Sequence, residues 1–205
     1  PLASLHIKPA SNAKQLLLEQ NNATDGYALF QDGPNGGHLK FMRHINGSDT
    51  QTLLLRSGGG LCFGTDSADA NALDDYEEGT WTPSFSSGET LSTYVAQYTK
   101  IGRQVTAHCY IYNFSDLNGN SNRFSIEGLP YNASGSNYHG GGYISYMAVG
   151  NYSSPLLPIV GQNNSYGYFH RQDGVNATWQ YQDMHNIGNG QNGQMIVTFV
   201  YDAAT

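Results

Sequence analysis

The densest set of groups that could do chemistry in this sequence is the carboxylate run Asp74, Asp75, Glu77 and Glu78. Acids this close suggest a paired general acid and base, or a calcium site. A glycosidase needs two carboxyls facing a sugar across about 5 to 9 Å, and calcium needs several oxygens converging from a loop of defined spacing. One short charged connector satisfies neither, and a solvated elbow is the ordinary fate of such a run. The other reactive types are dispersed. His6, His38, His44, His108, His139, His170 and His185 show none of the close spacings that put two ligands on one metal. No Gly-x-Ser-x-Gly elbow occurs, and Gly58-Gly59-Gly60 and Gly140-Gly141-Gly142 lack the Lys-Ser or Lys-Thr of a phosphate loop, so both read as turns. The chain is therefore expected to be no enzyme, with no catalytic residue, no metal and no cofactor.

What remains is the chemistry of contact. Tyr138 and His139 precede the second glycine run, and Tyr143 and Tyr146 follow it. Tyr166, Tyr168 and His170 alternate onto one face of an extended segment, and Trp179 and Tyr181 lie beyond an Asp173-Gly174 turn. Flat rings stack on sugar faces while Asn, Gln and Asp side chains bond hydroxyls. The expected glycan-binding set is Tyr138, His139, Tyr143, Tyr166, Tyr168, His170, Trp179 and Tyr181. Because charge is sparse over 136–143 and 163–183, the expected ligands are neutral sugars. The competing reading is that these rings fill a core or an oligomer interface.

The elements that must position these rings are strands. Charged residues make up only 12% of the chain, while 25 Gly and 15 Tyr with abundant Asn and Ser suit many strands joined by tight turns. In the first 65 residues apolar groups recur as Leu5-Ile7, Leu16-Leu17-Leu18, Tyr27 to Phe30, Leu39 to Met42, Leu53-Leu54-Leu55 and Leu61 to Phe63, separated by Asn-rich and Gly-rich turn signals. A short helix over 13–20 capped by Ser11 or Asn12 is the alternative there, but the run is too brief to stand alone. Short strands that are apolar on both faces cannot cover themselves in one copy. A threefold bundle of identical chains would cover them and remove their edges; the competing arrangement is a β-meander packed on the rest of the same chain. Beyond Thr80 the strands lengthen, over 81–85, 93–100, 103–114, 123–129, 142–149, 156–162, 166–171, 177–182 and 194–202. In the last of these Met195, Val197, Phe199 and Tyr201 share one face and Ile196, Thr198 and Val200 the other.

Three segments in order, Leu73 to Pro83 (LDDYEEGTWTP), Tyr98 to Thr106 (YTKIGRQVT) and Phe124 to Pro130 (FSIEGLP), resemble the C-terminal part of bacteriophage tail-fibre and related virion appendage proteins. The resemblance covers residues 73 to 130, and the strand-rich remainder is compatible without adding a motif. It implies a virion protein, a homotrimer, that displays toward a host surface. It also implies other virion tail or baseplate proteins as partners through an upstream region, and folding in the bacterial host cytoplasm. The resulting expectation is an all-β chain: a short-strand trimeric β shaft with its acidic elbow over 1–79, then a jelly-roll-like antiparallel β-sandwich head over 80–205. Host attachment by binding of surface polysaccharide is the expected function. The alternatives are a structural head fibre or capsid decoration protein without a receptor, and a polysaccharide depolymerase. Some phage fibres hold iron through His-x-His repeats, and no such pair occurs here.

A net charge of −7 with only nine Lys and Arg argues against binding a phosphate backbone, so no nucleic acid is expected. No apolar window is long enough to span a bilayer as a helix, and no membrane insertion is expected. The start at Pro1 rather than Met predicts a processed end or a piece with more protein upstream. Cys62 and Cys109 read as buried free thiols, in keeping with a reducing compartment.

Overall fold

The computed structural model describes residues 16–19, 25–32, 37–68, 71–86, 88, 91–114, 123–135, 140–148, 155–172, 174, 178–182 and 192–204. Every named element is a strand, and the chain divides into two compact units, Pro1–Asp75 and Tyr76–Thr205.

The N-terminal unit is a five-stranded antiparallel meander of β1 (Leu16–Glu19), β2 (Asp25–Asp32), β3 (His38–Ile45), β4 (Ser48–Leu55) and β5 (Leu61–Phe63). β1 is the strand preferred over the short helix, while Leu5-Ile7 lies outside the described residues. Asn46 and Gly47 join β3 to β4 with φ of 49° and 79°. Two consecutive positive φ values match the turn that strand twist favours, and Asn-Gly supplies them at least cost. Gly59 and Gly60, at φ of 100° and 90°, close the β4–β5 connection as the sequence suggested. The register aligns Leu16, Leu29, Phe41, Leu53 and Phe63 in one row across all five strands. Leu18 and Tyr27 extend the same face. On the opposite face Ala28, Leu54 and Cys62 are the buried apolar residues.

The C-terminal unit is one curled antiparallel sheet of ten strands. In chain order these are β6 (Tyr76–Thr80), β7 (Ser84–Phe85), β8 (Ser92–Ile101), β9 (Gln104–Phe114), β10 (Ser125–Glu127), β11 (Gly140–Ala148), β12 (Leu156–Val160), β13 (Tyr166–Arg171), β14 (Gln180–Tyr181) and β15 (Gly193–Asp202). The hydrogen-bonded order is β6-β8-β9-β15-β11-β12-β13-β10-β7, with β14 paired to β13. The longest ladder joins β9 to β15, and alternation puts Val105, Ala107, Cys109 and Ile111 inside with Met195, Val197, Phe199 and Tyr201. Phe85, Phe114, Phe124 and Phe169 complete this core. Phe85 meets Phe114 edge-on at 5.3 Å, and Phe124 stacks on Phe169 at 4.7 Å.

Two expectations are corrected by the sheet. Glu77 and Glu78 are not connector residues: they belong to β6, an edge strand whose residues Glu77, Gly79 and Thr80 pair with Lys100, Tyr98 and Gln97. Gly140 to Gly142 are not a turn but the first residues of β11, paired with β12 and β15. Glycine is required there because a Cβ on Gly140 or Gly142 would collide with Tyr201 or with the carbonyl of Thr198.

Candidate functional site

The three segments that carry the resemblance meet in one place. β6 pairs with β8, and the Tyr98 ring covers Gly79 so closely that a Cβ there would lie 2.6 Å from it. Gly128, at φ of 85°, brings its backbone against the Thr82 carbonyl, which no side chain would permit. Next to it the Tyr131 hydroxyl donates to the Glu77 carboxylate, and the Tyr131 ring meets Tyr98 edge-on at 5.7 Å. That bond to Glu77, aided by Tyr98, holds the Tyr131 phenol well above its ordinary pKa. Lys100, nearly buried, sets its ammonium 3.9 Å from Glu77 and 5.5 Å from the Tyr131 ring centre. The Trp81 indole donates to the His108 carbonyl at 3.2 Å. Every one of these contacts is internal, so the motif residues build the sheet corner. Asp74, Glu77 and Glu78 remain exposed, in keeping with a solvated run.

The aromatic side chains expected to bind glycans are distributed differently. On β13 Tyr166, Tyr168 and His170 share a face, as their alternation predicted, with ring centres 6.3 and 5.4 Å apart. β14 adds Tyr181 opposite His170, 4.8 Å from its ring and 5.5 Å from Tyr168. Phe169, between Tyr168 and His170 in the chain, points the other way into the core. Tyr168 itself is only 5% exposed, so it supports the group from below, and its burial, first, and Tyr181, second, raise its phenol pKa. Tyr181, 46% exposed, is the accessible ring of the group, and Trp179, just before β14, is 47% exposed. Tyr143 stands apart, on β11 opposite Thr198. Tyr138, His139 and Asp173 lie outside the described residues.

Two features escaped the sequence. Arg123, just before β10, places its guanidinium 3.4 Å from the centre of the Tyr181 ring and 4.9 Å from that of Tyr168. Cation–π contacts of this kind contribute about 0.5 to 2 kcal/mol each. A second ring group lies on the outer face of β8 and β9, where Tyr94 stacks on Tyr112 at 3.9 Å and touches Tyr110 at 4.7 Å. The Tyr110 hydroxyl donates to Gln194 at 2.8 Å, and His108 lies 3.0 Å from the Thr198 hydroxyl. Tyr110 and Tyr112 were legible as one face of a strand. Tyr94 joins them only because the β8–β9 register shifts between Thr93 and Val95, and periodicity cannot anticipate such a bulge.

Among the described residues no group of three His, Cys, Asp or Glu side chains could hold a metal. The arrangement on β13 and β14 is suited to stacking and hydrogen bonding. Comparison of the chain with protein-family models, with curated proteins and with solved structures found no match.

Proposed function

We propose that the chain is the C-terminal region of a bacteriophage tail fibre or related virion appendage that attaches to host-cell polysaccharide. In this reading a homotrimer is formed by a β shaft, and a jelly-roll-like head presents Trp179, Tyr181 and Tyr166 to the glycan. The observation that carries the binding role is the partition of aromatic residues in the head. Phe85, Phe114, Phe124, Phe169 and Phe199 fill the core, whereas Trp179 and Tyr181 stand about half exposed outside it. Rings with a polar tip left in water beside hydrogen-bonding neighbours suit the alternating apolar face and hydroxyl rim of a sugar.

Support for the trimer comes from the N-terminal sheet. Its row of Leu16, Leu29, Phe41, Leu53 and Phe63 makes a continuous apolar face, yet Leu18, Tyr27 and Phe63 remain 64%, 60% and 63% exposed in the single chain. Covering each such side chain stabilises an assembly by about 1.5 to 3 kcal/mol, and identical copies present identical rows. Three sites on one particle element then add avidity through high effective concentration.

A receptor-free structural role is the second reading, and one observation favours it: the resemblance segments form internal contacts around Glu77, Lys100, Tyr131 and Gly128, so the likeness concerns scaffold rather than recognition. Adsorption to susceptible cells separates the two. Trp179→Ala and Tyr181→Ala should reduce adsorption at least several-fold with the trimer intact by sedimentation; unchanged adsorption in both would leave the structural reading.

A further inference from the structure

The ring group on β13 and β14 holds a cation, and its setting identifies the ligand more narrowly than stacking does. Arg123 lies on the same strand face as Ser125 and Tyr168, and its guanidinium sits flat enough on the Tyr181 ring to approach the centre at 3.4 Å. Among the described residues no carboxylate is paired with it. A guanidinium held by its face keeps its N–H donors along its edge, directed away from the ring and matched in spacing to a planar oxyanion. Tyr168 beneath and Tyr181 beside it fix the side chain before any ligand arrives, which lowers the entropic cost of binding. Tyr181, on which the guanidinium sits, and Trp179, two residues before it in the chain, are each about half exposed.

We infer that the site takes an acidic glycan, with the carboxylate of a uronic-acid-type sugar paired to Arg123 and the sugar ring stacked on Tyr181 or Trp179. The inference rests on the proposed glycan-binding reading and replaces the neutral ligand that sparse charge suggested. The chain's net charge of −7 repels a polyanion at long range, so discrimination must come from this one contact. Binding should therefore weaken only modestly as salt rises, unlike binding to a polybasic surface.

The test is calorimetric titration of the full chain with oligosaccharides in matched sets of equal length: hexuronate-containing, the same compounds carboxyl-reduced to neutral sugars, and phosphorylated. The hexuronate form should bind about tenfold or more tighter than its reduced counterpart, the factor expected of one charge-assisted bidentate contact. Arg123→Gln should abolish that preference, so that acid and reduced forms bind alike, and Arg123→Lys should restore part of it. The wild-type comparison of acid with reduced sugar needs no variant and so stands even if Arg123→Gln disturbs the ring group. Equal binding of acid and neutral forms would overturn the acidic inference while sparing the glycan reading. Tighter binding of the phosphorylated set would overturn it in favour of phosphate. No binding by any set, with adsorption unchanged in Trp179→Ala, would remove both.

Discussion

The two units of this chain solve the same problem, covering apolar strands, in opposite ways. The C-terminal sheet curls so that β9 and β15 face their own neighbours across a phenylalanine-rich interior, and the outer face of β9 carries Gln104, Thr106, His108, Tyr110 and Tyr112. The N-terminal meander buries Ala28, Leu54 and Cys62 on one face and leaves the Leu16 to Phe63 row on the other with much of its surface in water. Since hydrophobic stabilisation scales with the area removed from water, the first unit can hold itself together. The N-terminal meander leaves more of its apolar row exposed, and in the proposed trimer identical copies would cover it. Strand propensity made both sheets; the large buried hydrophobic cluster lies in the C-terminal one.

The largest expected effect tests the self-sufficient unit. Phe199→Ala removes a ring that is wholly buried and packed against Phe169, and should cost the C-terminal unit about 3 to 5 kcal/mol in denaturant unfolding. A loss under 1 kcal/mol would mean that the curl is held by something other than its core. Charge on the N-terminal row should act next. Phe63→Asp puts a carboxylate on a side chain that is exposed in one chain and that the proposed trimer would cover, so it should cost a monomer little and a trimer several kcal/mol per copy. Sedimentation of this variant should shift from three chain masses toward one while the C-terminal transition stays where it was. A stable wild-type monomer at micromolar concentration would break the comparison at its root.

Alkali should weaken the C-terminal unit more gradually. Burial pushes the Cys109 thiol from 9.0 up to about 12, and the Tyr201 phenol from 10.0 up to about 12. Both groups stay protonated in the fold after the unfolded chain has begun to release its protons. Their stabilising effect is therefore intact below about pH 9 and declines as pH rises toward 12, by on the order of 1.4 kcal/mol per unit for each fully shifted group. Melting of the wild type from pH 8 to 11 should show the decline, and Cys109→Ala should remove the part that begins near pH 9. A melting temperature that does not move over this range would place these groups in water. The smallest change in stability should come from the contact surface. Trp179→Ala should alter unfolding by under about 0.5 kcal/mol, as an exposed substitution does, whereas Tyr168→Ala should destabilise because that ring is buried under Arg123 and Tyr181. Equal stability losses in the two would show that Trp179 is a packing residue as well.

Strands were legible wherever apolar residues alternated. Met195, Val197, Phe199 and Tyr201 declared an inner face, and β9 declared its own through Val105, Ala107, Cys109 and Ile111. Where alternation was absent the reading failed for a physical reason. β6 contributes Tyr, Glu, Glu, Gly and Thr, an edge strand whose charges face water, and composition makes it look like a connector. Gly140 to Gly142 resembled a turn because glycine signals conformational freedom as readily as close approach, and only the position of Tyr201 and Thr198 distinguishes the two. In the candidate site, the Tyr166, Tyr168 and His170 face was readable from spacing. The depth of Tyr168 was not, because alternation names a face without saying what covers it.

The sequence by itself determined that this chain is built of strands and that Asn46-Gly47 turns one of them back onto the next. These are properties of neighbours in the chain, fixed by backbone preference and by a side-chain period of two. Only the tertiary structure decided that Arg123 sits on Tyr181, with four strands of chain between them, and that Glu77, Lys100 and Tyr131 close one corner. It also decided that the five-residue row in the N-terminal sheet lies on a single face. Each depends on register between distant segments, and a shift of one residue would turn every one of those side chains to the opposite side of its sheet.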